Sequence, residues 1–245
     1  MTVVPGSLTD LVTGLIEFRA FENRRSASAA AAEMLANLIG EALDANPLAE
    51  ASLVVSGGST PGPCFDLLSE EALDWSRVTV IPSDERWVPA DDADSNERLI
   101  KNRLLQGLAG QGKVLPFFRA GLDASQAPQL IGNDLADLTQ PFSAVLLGMG
   151  EDGHFASLFP DFDGLQKALD PQEKTACTMV QTAGSPHLRI SLTLSALLNC
   201  MHTVLLIFGE AKRNVFEAAS AGGSAYPIEA LLHETRKPLT VIWAP

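Results

Sequence analysis

Leu146-Leu147-Gly148-Met149-Gly150-Glu151-Asp152-Gly153-His154-Phe155-Ala156-Ser157-Leu158-Phe159-Pro160 ends an apolar run on two glycines, then sets an Asp and a His two residues apart. The run itself, 143–147 (Ser-Ala-Val-Leu-Leu), is short, apolar and without alternation. That pattern belongs to strands buried on both faces, as in a parallel sheet. Runs of the same kind stand at 52–56, 78–82, 203–208 and 239–243, with weaker ones at 15–21, 113–117, 176–181 and 188–192. Helical spacing lies between them, clearest over 26–44, where Met34, Leu35, Leu38, Ile39, Ala42 and Leu43 recur on one face. Further helices are predicted over 61–69, 95–108, 125–138, 211–221 and 227–234. The alternation predicts an α/β fold: an open, doubly wound, mostly parallel and Rossmann-like sheet with helices on both faces. Ligands bind at the carboxyl ends of strands in such sheets. Of the four histidines, His154 is the one placed where chemistry is expected.

The 245 residues, 46% hydrophobic and 19% charged, have the balance of an ordinary globular chain. No internal repeat or low-complexity linker interrupts them, so one domain over residues 1–245 is expected. The polar, proline-bearing segments 86–94 and 161–173 read as loops over the cleft. No apolar stretch nears the roughly 20 residues that cross a bilayer, and no basic-then-apolar leader opens the chain. Cys64, Cys177 and Cys200 fit no zinc or disulfide spacing and read as buried thiols in a reducing compartment. A cytoplasmic protein is expected, as a monomer, with a dimer as the alternative. The net charge of −13 repels nucleic acid and anionic membranes, so neither is expected as a partner. An anionic ligand would need a few cations placed beside glycine loops.

Four segments meet that need. Ser56-Gly57-Gly58-Ser59-Thr60-Pro61 follows the run 52–56, with Thr60 as N-cap and Pro61 at the first helical position. Outward-facing amides at Gly57, Gly58, Ser59 and Thr60 would cradle a phosphate. Taken alone, the turn fits a ligand-free strand–helix junction equally well. Ser83-Asp84-Glu85-Arg86-Trp87-Val88-Pro89 ends the run 78–82. Arg86 could grip a phosphate with its planar fork, and Asp84 could hold a water or a sugar hydroxyl; the plain alternative is a local ion pair. In the loop around His154, a neutral imidazole can act as general base, with Asp152 fixing its tautomer or the water. The amides near 148–153 are candidates to stabilise an oxyanion. Lys212, three residues after Gly209, and Arg189, in an alternating stretch, are candidate anion ligands; a solvated surface cation is the commoner fate of each.

Other chemistries lack their signatures. Asp92, Asp94 and Asn96 start like a calcium loop, but Glu97 stands where Gly is needed and Arg103 where Glu is needed. Ser95 or Asp94 is instead expected to cap the helix that follows. No Gly-x-Ser-x-Gly elbow, P-loop, dinucleotide fingerprint or zinc spacing is present. No metal and no cofactor are expected.

In this order the segments resemble the 6-phosphogluconolactonase family. The resemblance rests on 56–61, on Ser-Asp-Glu-Arg-Trp-Val-Pro with the later Asp and Ser-Asn (83–96), on 148–160, on Arg-Ile-Ser-Leu-Thr (189–193) and on Gly-Glu-Ala-Lys (209–212). It runs from about residue 20 to the C-terminus. The wider superfamily includes glucosamine-6-phosphate deaminase, which shares the Asp-Gly-His core but usually continues into Phe-Asn-Glu-Pro. Ala156-Ser157-Leu158-Phe159-Pro160 looks like the lactonase. Phe155 departs from the frequent Thr, and His187 and Leu188 from residues often Pro or basic. The resemblance implies a phosphosugar lactone, 6-phosphoglucono-δ-lactone, as substrate. Its phosphate would rest on 57–60 with Lys212, Arg86 and Arg189, and His154, Asp152 and Asp84 would serve catalysis. Deamination and phosphosugar sensing without turnover are the alternatives. Sensor domains usually carry an attached DNA-binding helix-turn-helix, for which this acidic chain has no room.

Overall fold

The computed structural model describes residues 14–245. Its strands are β1 (Ile16–Ala20), β2 (Ala51–Val55), β3 (Val78–Pro82), β4 (Asp84–Arg86), β5 (Lys113–Val114), β6 (Ala144–Leu147), β7 (Cys177–Val180), β8 (Arg189–Leu192), β9 (Thr203–Phe208) and β10 (Leu239–Ala244). Its α-helices are α1 (Arg24–Asp44), α2 (Gly62–Leu68), α3 (Asn96–Leu99), α4 (Ala127–Ala136), α5 (Leu165–Ala168), α6 (Leu194–Leu198), α7 (Glu210–Ala221) and α8 (Ile228–Glu234). Among the described residues, no helix is long and apolar enough to cross a membrane.

A seven-stranded sheet runs in the order β1-β10-β9-β6-β2-β3-β5, and every neighbouring pair is parallel. Side chains alternate between its two faces. Leu53, Val55, Leu146, Val204 and Leu206 pack under α1 and α2. Val54, Val145, Leu147, Leu205 and Ile207 pack on the other face with residues of α4, α6, α7 and α8. Both faces are therefore dry, which is why the strands read as unbroken apolar runs. The small side chains of Ala27, Ala31 and Ala32 are fully or almost fully buried along α1. All three cysteine thiols are buried, and burial raises their pKa values, that of Cys64 to about 12.

The chain order reverses between β2 and β6: β3 and β5 lie on one side, β9 and β10 on the other. The crevice at such a switch point is where open α/β sheets bind ligands. Ser56 ties its two edges together. Its amide donates to Leu146 O at 2.9 Å, and its Oγ accepts from the Gly148 amide at 2.9 Å.

Three local expectations are corrected. The strands at 177–180 and 189–192 do not join the main sheet; with β4 they form a separate antiparallel sheet, β4-β8-β7. Three residues are too few for β4 to show an alternation. Ser83 hands the chain between the sheets, donating to Val55 O and accepting from Leu192 N, both at 2.8 Å. Second, the helix expected over 95–108 is a single α-turn followed by a π-helical segment, Ile100–Leu104. It stops before Gly107, whose φ of 52° is left-handed. Ser95 does cap it, accepting from Arg98 N at 3.1 Å. At α2 the N-cap is Pro61 rather than Thr60, and no side chain caps it.

Candidate active site

A cavity of about 260 Å³ opens where β2, β3, β6 and β9 end. Gly57, Gly58, Ser59, Thr60, Asp84, Arg86, His154, Arg189 and Lys212 all line it. Asp152 does not; it reaches the cavity through His154. A larger cavity of about 650 Å³ lies beside α4 and α6. Its lining offers amides, hydroxyls and Lys174 but no His, Asp, Glu or Arg, whereas the smaller one gathers the His, Asp and Arg side chains.

The loop after β6 is built tightly around its His. Asp152 Oδ1 stands 2.6 Å from His154 Nδ1 and also accepts from the His154 amide at 3.2 Å. A carboxylate there assigns the proton to Nδ1 and leaves Nε2 as the basic nitrogen. A side chain on Gly150 would collide with both the imidazole and the Asp152 carboxylate. Gly153 adopts φ 76°, with Tyr226 against it. The amides of Gly148, Gly150 and Gly153 are engaged within the protein, on Ser56 Oγ, His154 O and Gly150 O. Those three donors are therefore not free for an oxyanion, against expectation.

Beyond His154 the chain turns through Ala156, whose φ of 48° is unusual for a residue with a Cβ. That turn sends Ser157 into the interior, where it is fully buried. Ser157 Oγ donates to Asp84 Oδ2, and its amide donates to Ser191 Oγ at 3.2 Å. Asp84 Oδ1 accepts from Ser83 Oγ at 2.9 Å. Arg189 Nη1 lies 3.7 Å from Asp84 Oδ2, and its guanidinium sits over the Phe159 ring, 5.1 Å from the centroid. The same ring lies 4.3 Å from the His154 ring, centroid to centroid. Phe159 thus touches both the imidazole and a cation of the site.

The antiparallel sheet fixes the arginines. Arg86 Nη1 donates to Asp94 O at 2.7 Å and to Asn96 Oδ1 at 3.0 Å, while its Nε is buried without a partner among the described residues. Glu85 points away from the cavity and anchors the loop. Its carboxylate accepts from the amides of Arg86, Asn96 and Glu97 and from Ser95 Oγ, at 2.7–3.1 Å. Burial pushes the Glu85 pKa up, against those hydrogen bonds. Burial, with Arg86 nearby, pushes the Arg189 pKa down. Burial likewise lowers the pKa of Lys212, in the first turn of α7, while Glu151 and Asp152 oppose the shift.

Sequence reasoning missed Asn96, Ser157 and Phe159 as members of this constellation. Asn96 and Ser157 carried a usable signal: small polar residues in motif segments that the fold then buries.

The chain compares with known proteins as follows. A family model described as glucosamine-6-phosphate isomerases/6-phosphogluconolactonase matches residues 22–243. The chain is 40% identical over 229 residues to a 6-phosphogluconolactonase of Rhizobium meliloti, covering 92% of this chain and 97% of the relative. It is 40% identical over 198 residues to one of Pseudomonas aeruginosa, covering 80% and 82%. A solved 6-phosphogluconolactonase from Shewanella baltica superposes with a TM-score of 0.89 at 36% identity, covering 96% of this chain and all of that one.

Proposed function

The chain belongs to the glucosamine-6-phosphate isomerase/6-phosphogluconolactonase family, and from that membership we propose that it hydrolyses 6-phosphoglucono-δ-lactone to 6-phosphogluconate within one α/β domain. The observation that carries the reading is the Asp152–His154 pair, joined at 2.6 Å, beside a cavity that Arg86, Arg189 and Lys212 line as well.

The phosphate rests on the Gly57–Thr60 turn and is neutralised by Lys212, Arg86 and Arg189. That anchor holds the lactone carbonyl beside His154, and such positioning is worth a large share of the barrier. His154 Nε2 takes a proton from water as the water oxygen bonds to the carbonyl carbon. The tetrahedral oxyanion then collapses, the bond from carbon to the ring oxygen breaks, and the imidazolium returns the proton to that departing oxygen. The acid so formed ionises in water. Asp152 holds the Nδ1 proton and faces the imidazolium charge that forms in between. Asp84 retains lone pairs toward the cavity for a sugar hydroxyl or the water. General-base assistance contributes about 10²–10⁴-fold.

The deciding experiment follows lactone disappearance, coupled to 6-phosphogluconate formation, against spontaneous hydrolysis. Acceleration that His154→Ala abolishes supports the reading. Ammonia release from glucosamine 6-phosphate with no lactone acceleration would overturn it in favour of the deaminase.

A further inference from the structure

Asn96 lies where the turn after β2 meets the loop after β4. It is 3% exposed and lines the cavity. Its amide N donates to Glu85 Oε1 at 2.8 Å, and its Nδ2 donates to Asp84 O at 2.7 Å. Its Oδ1 accepts from Arg86 Nη1 at 3.0 Å. These partners fix which end of the amide is which: a flip would set donor against donor and acceptor against acceptor. The side chain also fills the space that a Cβ on Gly57 would need, so it lies directly against the cradle.

We propose that Asn96 is a positioning residue for the phosphate anchor, orienting Arg86 beside the Gly57–Thr60 turn. The inference rests on the phosphate reading of that turn given above. Three observations support it. Arg86 Nη1 is occupied by Asn96 and Asp94, while Nη2 makes no hydrogen bond among the described residues. Nε is buried with no partner among the described residues, so Nη1 alone ties the guanidinium to the protein by hydrogen bonds there, and its Asn96 contact has the more weight in setting the direction of the head group. And the residue that orients Arg86 is neutral. An amide accepts from a guanidinium without cancelling its charge, so the full positive charge stays available to a dianion; a carboxylate in its place would form the ion pair itself.

The test compares Asn96→Asp and Asn96→Ala with the wild type, each first shown folded by thermal melting. The readouts are kcat and KM for the phosphorylated lactone, the same constants for unphosphorylated glucono-δ-lactone, and the inhibition constant of inorganic phosphate. Asn96→Asp keeps the acceptor toward Arg86, adds a charge and loses the donor to Asp84 O. It should raise KM for the phosphorylated lactone and the phosphate inhibition constant at least tenfold, with a much smaller change in kcat. The kcat/KM preference for the phosphorylated lactone should fall by the same factor. Asn96→Ala should shift the same quantities in the same direction, by less. A merely structural Asn would depress both substrates alike; that result, or an Asp variant with wild-type KM, overturns the proposal. If phosphate does not inhibit the wild type and the phosphate group earns no preference, the anchor reading itself has failed. If the wild type shows both and the variants retain both, only the role of Asn96 has failed.

Discussion

Arg86 and Arg189 stand directly opposite each other across the β4–β8 pair. Like charges at opposed positions destabilise a sheet, and here one of the two is pushed to a lower pKa by burial and by its neighbour. Asp84 offsets the repulsion only in part: its carboxylate is 3.7 Å from Arg189 and already accepts from Ser83 and Ser157. The pairing makes sense if an anion completes it.

A phosphate ligand should therefore stabilise the fold. Inorganic phosphate at ten times its Kd would add about 1.4 kcal/mol, or roughly 3–6 °C in thermal midpoint for a chain of this size. The increment should shrink in high sodium chloride and should largely vanish in Arg189→Met. A midpoint indifferent to phosphate would count against the anchor.

Asp152 meets the His154 ring and amide and does not line the cavity, so in the proposed mechanism its substitution separates tautomer from fold. Asp152→Asn removes the charge that would steady the imidazolium, and where its NH₂ turns to Nδ1, giving up the bond from the His154 amide, it drives the ring proton onto Nε2 and removes the base. We expect kcat to fall about 10²–10⁴-fold, the range of a general base, with KM and melting temperature little changed. Steady-state kinetics beside a melting curve decide it. A loss of stability with kcat retained would make Asp152 a support of the loop.

The main sheet was legible because its strands are buried on both faces and so read as unbroken apolar runs. The switch point was legible because glycine-rich segments follow two of those runs. What stayed hidden depends on contacts between distant segments. Asp84–Arg86 is a strand only because 189–192 lies beside it. Glu85 reads only as one of two acids at a strand end, and Asn96 only as part of an acidic run, until the loop folds back and buries both. The glycines of the His154 loop suggested oxyanion donors, but three of their amides close the loop on itself or on Ser56. Nothing in their spacing distinguishes the two uses.

Lys212 gives the site a pH dependence whose sign follows from its burial. Burial lowers its pKa, and only the protonated ammonium attracts phosphate. Affinity for inorganic phosphate should therefore decline as pH rises through that lowered value, before an ordinary lysine at about 10.4 would titrate. Lys212→Arg should keep affinity to higher pH, and Lys212→Met should be weak throughout, as titration calorimetry would record. The stability effect runs the other way. The charged Lys212 destabilises the folded state fully below its folded pKa, and the penalty fades as pH rises toward the unfolded value. Lys212→Met without phosphate should thus melt no lower than the wild type at neutral pH. A wild-type affinity that holds level until an ordinary lysine titrates would contradict the assignment.

Phe159 joins the two halves of the site, because one ring meets both the His154 imidazole at 4.3 Å and the Arg189 guanidinium at 5.1 Å. The ring face attracts cations, so under the proposed mechanism the contact would strengthen as His154 becomes imidazolium. Phe159→Leu keeps an apolar side chain but loses the ring face. With aromatic and cation–π contacts worth about 0.5–1.5 kcal/mol, kcat/KM should fall roughly 2–10-fold. Most of that loss should lie in kcat if His154 is the more affected partner, and in KM if Arg189 is. Phe159→Tyr retains the ring face and should recover most of the activity, provided its hydroxyl finds water at the half-exposed edge. Kinetics on both variants, with melting curves to exclude a general loss of packing, distinguish the outcomes. Leu and Tyr variants that are equally impaired would mean that ring shape, not its charge distribution, aligns the base with the anion site.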